Sequence, residues 1–307
     1  MTDKRYRFKQ DEIDGITGRF GQAFYEKASR DIETYADKWA LTSFQLIPSY
    51  SANLVLTCRS DRFGDAVLKI GGSSSGGAST EFYTLRQYNG RRFCKLFDAD
   101  LANGVILEER VQPGRPLRDE TSLEKRMAVF SSLYNGLHEP PADAELYPTY
   151  AGWVGSITDH MSKRTDCREL YAYMKKAHDI CLSVSAEYSR RMLLHGDFHH
   201  DNILLGAGGE YVIIDPKGVI GDPVFDVPRF ILNEFEDEIT PELYEKINKV
   251  IAILENHLQI PDSILRQCVF VETAMGVCWS AEDGPAPGEY PKLVRDVAFA
   301  EAILNAG

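Results

Sequence analysis

The spacing of apolar residues along the chain changes from helical to strand-like and back. From Asp11 to Leu41 apolar residues recur at helical intervals with charges on the opposite face, which predicts a helix. From Phe44 to Val111 they come in short runs rich in β-branched and aromatic side chains, which predict strands, and a helix at about Ala78–Tyr88 interrupts them.

After the stretch QPGRPL, helical spacing dominates. Two short strands are predicted at Asn202–Leu205 and Tyr211–Ile214. The pattern predicts an α+β chain with a β-rich N-terminal lobe over residues 1–111, a hinge at 112–116 and a mainly helical C-terminal lobe over 117–307. The predicted helices of the second lobe lie near residues 121–137, 166–190, 223–236, 241–257, 262–280 and 291–304.

Composition and charge narrow the class of protein. The chain has 307 residues and a formal charge of −12, which disfavours nucleic acid or an anionic membrane as a partner and is compatible with a cationic ligand. Its start shows no apolar segment typical of a secretory signal, no long apolar run occurs, and no two of the six cysteines stand at CxxC spacing. We therefore expect a cytoplasmic protein, a monomer or homodimer, that binds neither nucleic acid nor membrane.

Carboxylate and amide side chains cluster in the stretch LLHGDFHHDNILL. Asp197 and Asn202 stand in a predicted loop between a long helix and a small strand pair, and Asp215 ends the second strand of that pair. Phosphoryl transfer needs one carboxylate to orient and deprotonate the acceptor hydroxyl, and oxygen ligands to hold Mg²⁺. We therefore predict Asp197 as the catalytic base, with Asn202 and Asp215 as Mg²⁺ ligands.

The histidines of the same stretch permit a different interpretation. His195, His199 and His200 could hold zinc, but only one or two of them could face a common centre in so short a loop, and no fourth histidine or cysteine stands nearby. A turn without chemistry would explain the aspartate and asparagine but not the apolar flanks that mount them. We therefore expect His199 and His200 to pack or to hydrogen-bond within the loop, and His195 to orient it.

A lysine inside an apolar run points to nucleotide binding. Lys69 in AVLKI would be costly to bury alone, and Glu81 at the start of the next helix is its natural partner. Such a pair steadies the α- and β-phosphates of ATP in kinases; the alternative is an edge-strand lysine that reaches solvent. The run GGSSSGG follows the lysine instead of preceding it, so phosphate contacts are expected from the loop IPSYSANLV, through Ser49, Ser51 and backbone amides.

Three stretches, LLHGDFHHDNIL, IIDPKGVIGDPVFDVPR and CWSAEDG, together resemble the aminoglycoside phosphotransferase superfamily, and within it the streptomycin 6-kinase/hydroxyurea phosphotransferase branch. The resemblance runs from about residue 51 to residue 283 and implies a two-lobed protein-kinase-like fold. The family's HGDxxxxN loop falls on His195 to Asn202 and its metal-binding aspartate on Asp215. The stretch LEERVQPGRPL matches the family's hinge, which implies that the backbone from Glu109 to Val111 meets adenine. The N-terminal loop departs from the pattern because it has no recognisable glycines.

The resemblance implies a kinase without naming its acceptor. An acidic cleft would suit a polycationic antibiotic. In kinase-like folds, however, the aspartate that corresponds to Asp226 hydrogen-bonds the catalytic-loop backbone, and we expect that role for Asp226. The run 234–238 is expected to be a solvated helix end, and Trp153 is either a stacking surface for the substrate or a core residue. The candidate carboxylates of the acceptor cleft are Asp226, Glu234, Glu236, Asp237, Glu238, Glu282 and Asp283.

The sequence therefore predicts an ATP- and Mg²⁺-dependent kinase of small molecules. Its acceptor would be a hydroxyl of a streptomycin-like aminoglycoside or a related compound. The alternatives are a kinase of a non-antibiotic metabolite such as an aminosugar, and a pseudokinase that acts as a binding module. A protein kinase is disfavoured, because the chain lacks the HRD, DFG and APE set and leaves no room for an activation loop after Asp215.

Overall fold

The computed structural model describes residues 6–50, 52–72, 76–236, 238–282, 284 and 288–306. The helices are α1 (Gln10–Phe20), α2 (Gln22–Lys38), α3 (Gly76–Tyr88), α4 (Leu123–Tyr134), α5 (Tyr150–Ser162), α6 (Arg168–Glu187), α7 (Pro228–Leu232), α8 (Pro241–Leu258), α9 (Asp262–Ala281) and α10 (Tyr290–Leu304). The strands are β1 (Leu41–Ile47), β2 (Leu54–Ser60), β3 (Gly64–Ile70), β4 (Leu96–Asp100), β5 (Val105–Glu109), β6 (Arg115–Pro116), β7 (Met192–Leu194), β8 (Ile203–Leu205), β9 (Tyr211–Ile213) and β10 (Val219–Gly221).

The chain divides by contact into two compact units. The sheet unit comprises Met1–Arg115 and Leu205–Ile214, and the helical unit comprises Pro116–Leu204 and Asp215–Gly307. These units reflect contacts between residues. The predicted lobe boundaries, 1–111, 112–116 and 117–307, stay a prediction. An antiparallel sheet in the first unit and mainly helices in the second confirm the predicted α+β class.

The sheet unit is built on five antiparallel strands in the order β1-β2-β3-β5-β4. Its core contains two large aromatic side chains, Tyr35 and Trp39, whose rings stack with centroids 4.6 Å apart. The Trp39 indole Nε1 donates to Asp98 Oδ2 and the Tyr35 hydroxyl donates to Asp100 Oδ2, both at 2.8 Å. Because both polar tips have partners, these rings are buried without leaving a donor unsatisfied.

The first predicted helix is wrong in its length. A single helix from Asp11 to Leu41 is replaced by α1 and α2, which Gly21 separates with a φ of 86°, and by β1, which begins at Leu41. Glycine has no Cβ to clash in this region of φ, so the chain turns there at little steric cost. Helical spacing on both sides of the glycine concealed the break.

In the helical unit α9 is the central element. Its buried residues lie on nearly every side, and it packs against α5, α6 and α10. A pair of short antiparallel strands, β7 and β10, lies at the edge of this helical core, with Leu194 opposite Val219. Neither strand was predicted, and together they hold the loop that follows β7. None of the described helices is both long and apolar enough to cross a membrane.

Two further differences concern proline and a helix cap. Residues 223–236 form a short 3₁₀ turn, Pro223–Asp226, followed by α7, instead of the predicted single helix, because a proline at 228 cannot continue the preceding turn. Helix α5 was not predicted; the Thr149 hydroxyl caps its start by accepting from the Gly152 N–H at 3.0 Å. The predicted short strands correspond to β8 and β9.

Candidate active site

A buried carboxylate fixes the backbone of the loop after β7. Asp226 Oδ2 accepts from the His195 N–H at 2.7 Å, and its Oδ1 accepts from the Gly196 N–H at 2.8 Å. Burial alone would raise the pKa of Asp226, but the contact of His138 Nε2 at 2.9 Å, the charge of that ring and the Gly196 N–H hold the pKa below its ordinary value. The expected structural role of Asp226 is confirmed.

Glycine is required at the residue before Asp197. Gly196 has a φ of 78°, and a Cβ placed there would lie 3.0 Å from Val219 Cγ1 and 3.1 Å from Trp153 Cη2. Both contacts are shorter than side chains normally tolerate, so β10 and α5 press closely on the loop. The position of Asp197 is therefore set from both sides by packing.

Two aromatic residues of the loop point into the core. Phe198 is fully buried, with ring centroids 5.0 Å from Phe130 and 5.3 Å from His195. The His200 ring stacks on Phe230 at a centroid distance of 4.0 Å. These contacts anchor the residues on either side of His199, while Asp197 keeps 20% of its side chain exposed.

Asp197 is held by a cation that the sequence reasoning did not select. Arg229 Nε donates to Asp197 Oδ1 at 2.8 Å, and His199 Nε2 lies 3.5 Å from the same oxygen. Burial acts to raise the pKa of Asp197, but the lowering by His199, Arg229 and Lys217 together is larger. The pKa therefore lies well below its ordinary value. Asp197 is therefore ionised at neutral pH, and its Oδ2 has no hydrogen-bond partner among the described residues.

A second buried carboxylate lies behind Arg229. Glu272 Oε1 is 3.8 Å from Arg229 Nε, and Glu272 Oε2 accepts from the Tyr150 hydroxyl at 2.6 Å. Burial, helped by the negative charge of Asp197, raises the pKa of Glu272 to about 7 against the pull of Arg229. Arg229 and Glu272 line a cavity of about 660 Å³ bounded by residues of α7, α9 and α10.

Arg229 and Glu272 were missed, although a sequence signal for both exists. Each is a charged residue inside an apolar run, VPRFIL and CVFVETAM respectively. A charge in such a run is costly to bury unless it is paired. The same reasoning selected Lys69 and, applied here, would have selected both residues.

Asn202 is fixed by its amide nitrogen. Its Nδ2 donates to the backbone carbonyl of Asp197 at 2.9 Å, and its side chain is mostly buried. Within the described ranges no group donates to its Oδ1. This arrangement leaves the amide oxygen available as a hard donor, which suits Mg²⁺.

Asp215 has a backbone conformation that is uncommon for residues other than glycine. Asp215 lies two residues after the end of β9 and has a φ of 56°. Its Oδ2 accepts from Lys217 Nζ at 2.8 Å. The His195 carbonyl accepts from the backbone N–H groups of Lys217 at 2.8 Å and Gly218 at 3.2 Å. The Asp215 segment is therefore attached directly to the loop that carries Asp197.

The three histidines have separate partners. His195 Nδ1 accepts from the Asp197 N–H at 3.1 Å, His199 Nδ1 accepts from the Asp201 N–H at 3.2 Å, and His200 Nε2 lies 2.9 Å from Glu234 Oε1. Across the part of the chain that the structure describes, no group of three or more His, Cys, Asp or Glu side chains could hold a metal ion. The hydrogen bonds of His195 and His199 lie within the loop, whereas His200 contacts Glu234 outside it.

Glu234 is not part of a solvated helix end, so that expectation is wrong for this residue. It is 4% exposed and accepts from Arg126 Nε and Nη2 at 2.7 and 2.8 Å. Burial would raise the pKa of Glu234, but His200 and Arg126 lower it to about 2. Of the other candidate acceptor carboxylates, Glu236, Glu238 and Glu282 are exposed, and Asp237 and Asp283 lie outside the described residues.

In the sheet unit Lys69 is buried with two carboxylates. Its Nζ lies 2.5 Å from Glu81 Oε1, as predicted, and 3.0 Å from Glu108 Oε1, which was not. In the register of β3 and β5, Lys69 is opposite Ile106, so Glu108 lies two residues along on the same face. The alternative of an edge-strand lysine reaching solvent is wrong, because β3 lies between β2 and β5 and Lys69 is 6% exposed.

Two of the three backbone N–H groups of the predicted adenine-binding segment, Glu109 to Val111, are hydrogen-bonded within the protein. The Glu109 N–H donates to the Lys95 carbonyl at 2.8 Å and the Arg110 N–H to the Asp65 carbonyl at 3.2 Å. Val111 makes no backbone hydrogen bond to another described residue. Ser51, the predicted phosphate contact, lies outside the described residues.

The structure thus assembles two groups of predicted site residues, each within its own unit. The helical unit joins Asp197, Asn202 and the segment of Asp215, and adds Arg229. The sheet unit joins Lys69 with Glu81 and adds Glu108.

Comparison with known proteins gives a consistent result. Residues 38–284 match the family model described as aminoglycoside/hydroxyurea antibiotic resistance kinase. The chain is 24% identical over 294 residues to the hydroxyurea phosphotransferase of Kitasatospora aureofaciens, covering 94% of this chain and 82% of that protein. It is 24% identical over 273 residues to the streptomycin 6-kinase of Streptomyces glaucescens, covering 88% of each.

A solved structure shows the same fold. The crystal structure of a thermostable mutant of aminoglycoside phosphotransferase APH(4)-Ia, a ternary complex with ADP and hygromycin B, matches with a TM-score of 0.64 and 14% identity, covering 90% of this chain and 98% of that one. At this identity the likeness establishes the fold alone, and it confirms the predicted kinase-like fold. Because the family match spans most of the sequence, the protein is a phosphotransferase that belongs to the aminoglycoside/hydroxyurea antibiotic resistance kinase family.

Proposed function

We propose that this protein transfers the γ-phosphoryl group of ATP to a hydroxyl of a small antibiotic-type acceptor, and that Asp197 orients and deprotonates that hydroxyl. One observation carries the proposal: Asp197 is ionised and immobilised by Arg229 through Oδ1, while Oδ2 has no hydrogen-bond partner among the described residues. An ionised carboxylate with one available oxygen is the group that an acceptor hydroxyl needs.

The proposed step balances without a further reactant. The acceptor oxygen forms a bond to the γ-phosphorus, the bond from that phosphorus to the leaving oxygen of ADP breaks, and the hydroxyl proton passes to Asp197 Oδ2. Phosphoryl transfer has a loose transition state, in which little proton transfer is needed early. The low pKa of Asp197 fits this order, because its main contribution is to aim the acceptor oxygen.

Asn202 and Asp215 fit a magnesium site by the chemistry of their donors. Both offer hard oxygens, and the hydrogen bond from Asn202 Nδ2 to the Asp197 carbonyl supports the amide oxygen as the available donor. Bound Mg²⁺ would neutralise charge on the triphosphate. We propose that the chain holds these oxygens close to the residue that binds the acceptor.

We assign the remaining nucleotide contacts to the sheet unit. Lys69 would bind the α- and β-phosphates, with Glu81 and Glu108 holding its side chain in one position. Since the N–H groups of Glu109 and Arg110 are engaged, Val111 is the residue of the hinge whose backbone would pair with adenine.

The relatives suggest the acceptor. Their names describe kinases of streptomycin and of hydroxyurea, and we propose that this enzyme phosphorylates a molecule of the first kind, since a chain with charge −12 favours a cationic acceptor. We also propose the cytoplasm as its location, where ATP is supplied and where six free, buried cysteines stay reduced.

The proposal is tested by an ADP-release screen with streptomycin, other aminoglycosides, hydroxyurea and aminosugars, followed by Asp197→Asn. This change keeps the shape and removes the negative charge, so kcat should fall about 10²- to 10⁴-fold while ATP still binds. Asp201→Asn is the matched control, because Asp201 lies in the same loop but pairs with Arg118 at the surface. A near-normal kcat for Asp197→Asn would remove Asp197 from the mechanism.

A further inference from the structure

Two tryptophans lie side by side on α5 and α9. The ring centroids of Trp153 and Trp279 are 5.9 Å apart and their planes meet at 72°. Trp279 is 42% exposed and Trp153 is partly exposed, so neither indole is enclosed by the core. Among the described large apolar side chains, only Ile47 and Leu182 are comparably exposed.

The pair is next to the candidate active site. Trp153 Cη2 is the atom that a Cβ on Gly196 would meet at 3.1 Å, and Gly196 immediately precedes Asp197. Trp279 follows Glu272 by two helical turns on α9, which places both side chains on the same face of that helix. Glu272 contacts Arg229, the partner of Asp197.

The surroundings of these rings favour a positive ligand. Lys38 Nζ lies 5.1 Å from the ring of Trp39, whereas no cation of the described chain lies over Trp153 or Trp279. Glu282, one turn beyond Trp279, is an exposed carboxylate whose Oε1 lies 3.7 Å from His160 Nδ1 and whose backbone carbonyl accepts from Arg164. Partly exposed indole rings attract cations through the ring quadrupole, and a nearby carboxylate adds to that attraction.

We propose that Trp153 and Trp279 form a subsite that binds a cationic, ring-bearing part of the acceptor and so sets which acceptors the enzyme prefers. The proposal rests on the proposed function, since it concerns the same acceptor. It assigns affinity to the indoles and leaves the chemical step to Asp197.

Tryptophan emission tests the subsite directly, because the chain has three tryptophans and the third, Trp39, is fully buried in the sheet unit. Titration with streptomycin, which is cationic and ring-bearing, should change the emission of the wild type and of Trp39→Phe. The change should be lost in the double variant Trp153→Phe/Trp279→Phe. Hydroxyurea, neutral and without a ring, should leave the emission unchanged in all of them.

Steady-state kinetics supply the second measurement. Trp279→Ala should raise KM for streptomycin about tenfold, as expected for the loss of one cation–π contact, and leave KM for ATP unchanged. Leu182→Ala is the control, since Leu182 on α6 is an apolar residue of comparable exposure, 50% against 42% for Trp279.

Three outcomes would overturn the subsite: an emission change that persists in the double variant, no emission change in the wild type with streptomycin or hygromycin B, or an unchanged KM for streptomycin in Trp279→Ala. The proposed function is tested separately by ADP release. Normal turnover with an unchanged KM in Trp279→Ala would therefore discard the subsite and keep the kinase assignment.

Discussion

Charged residues inside apolar segments carry most of the candidate site. Lys69, Arg229 and Glu272 each interrupt an apolar run, and each is buried or partly buried with an opposite charge nearby. A lone charge in such a place would destabilise the fold, so each residue is explained only together with its partner. The pairing also restricts the side-chain rotamer, which is what a site for phosphoryl transfer needs.

Arg229 should act as a positioning residue for Asp197. Replacing Arg229 by Gln removes the hydrogen bond from Nε to Asp197 Oδ1, so the carboxylate can leave the position from which we propose that it aims the acceptor oxygen. We expect kcat to fall about 10- to 100-fold, with KM for ATP unchanged and partial recovery in Arg229→Lys. Steady-state kinetics with a saturating acceptor measure both effects.

Arg266→Gln is the control for that variant. Arg266 Nε donates to Asp262 at 2.6 Å within the same unit, so its replacement also removes an ion pair with an aspartate, but one without a contact to the loop. Equal losses of kcat in the two variants would mean that Arg229 acts through stability alone.

At the scale of elements, the spacing of apolar residues predicted those helices and strands that are determined by their own local sequence. The strand runs of the sheet unit and helix α3 were predicted because each is bounded by turn residues and has a clear period. The break at Gly21 was missed because helical spacing continues on both sides. Strands β7 and β10 were missed because three residues give no period, and only their pairing across the fold defines them.

Helix α9 should make stability depend on pH through one carboxyl group. Burial raises the pKa of Glu272 from 4.5 to about 7, so the folded state holds this proton more tightly than the unfolded chain does. The resulting contribution to stability is fully present below about pH 4.5 and is lost as the pH rises through about 7, by about 3 kcal/mol in all. Glu272→Gln cannot ionise, so its free energy of unfolding should fall less between pH 5 and 8 than that of the wild type.

Urea titrations across this pH range measure the difference between the two proteins. Subtracting the free energy of unfolding of Glu272→Gln from that of the wild type cancels the contribution of His200. Burial lowers the pKa of His200, so its contribution to stability rises with pH. Glu245→Gln, at an exposed position of α8, should keep the pH dependence of the wild type. Parallel curves for wild type and Glu272→Gln would show that Glu272 stays ionised throughout.

For the whole molecule, the sequence predicted contacts between residues that are close along the chain better than contacts between residues that are far apart along it. The pair of Lys69 and Glu81 follows from a strand and the helix after it, and Asp197 and Asn202 lie in one loop. Arg229 and Glu272 could not be attached to Asp197 in this way, because 32 residues separate Asp197 from Arg229 and the contact depends on how α7 and α9 pack. Glu108 required the register of β3 against β5.

The net charge of −12 leads to the last prediction, which concerns the acceptor. The 660 Å³ cavity is lined by the carboxyl groups of Glu236, Glu272 and Asp296 and by the cations Arg229 and Lys292, so a cationic acceptor is attracted by the overall charge of the chain more than by the lining of this cavity. Salt screens such attraction between exposed charges, so KM for streptomycin should rise severalfold between about 0.03 and 0.3 M salt while kcat stays constant. KM for hydroxyurea, which is neutral, should stay within a factor of about two over the same range. If the preferred acceptor is neutral, or if KM for a cationic one does not respond to salt, charge does not select the acceptor, and the subsite of Trp153 and Trp279 would have to recognise shape alone.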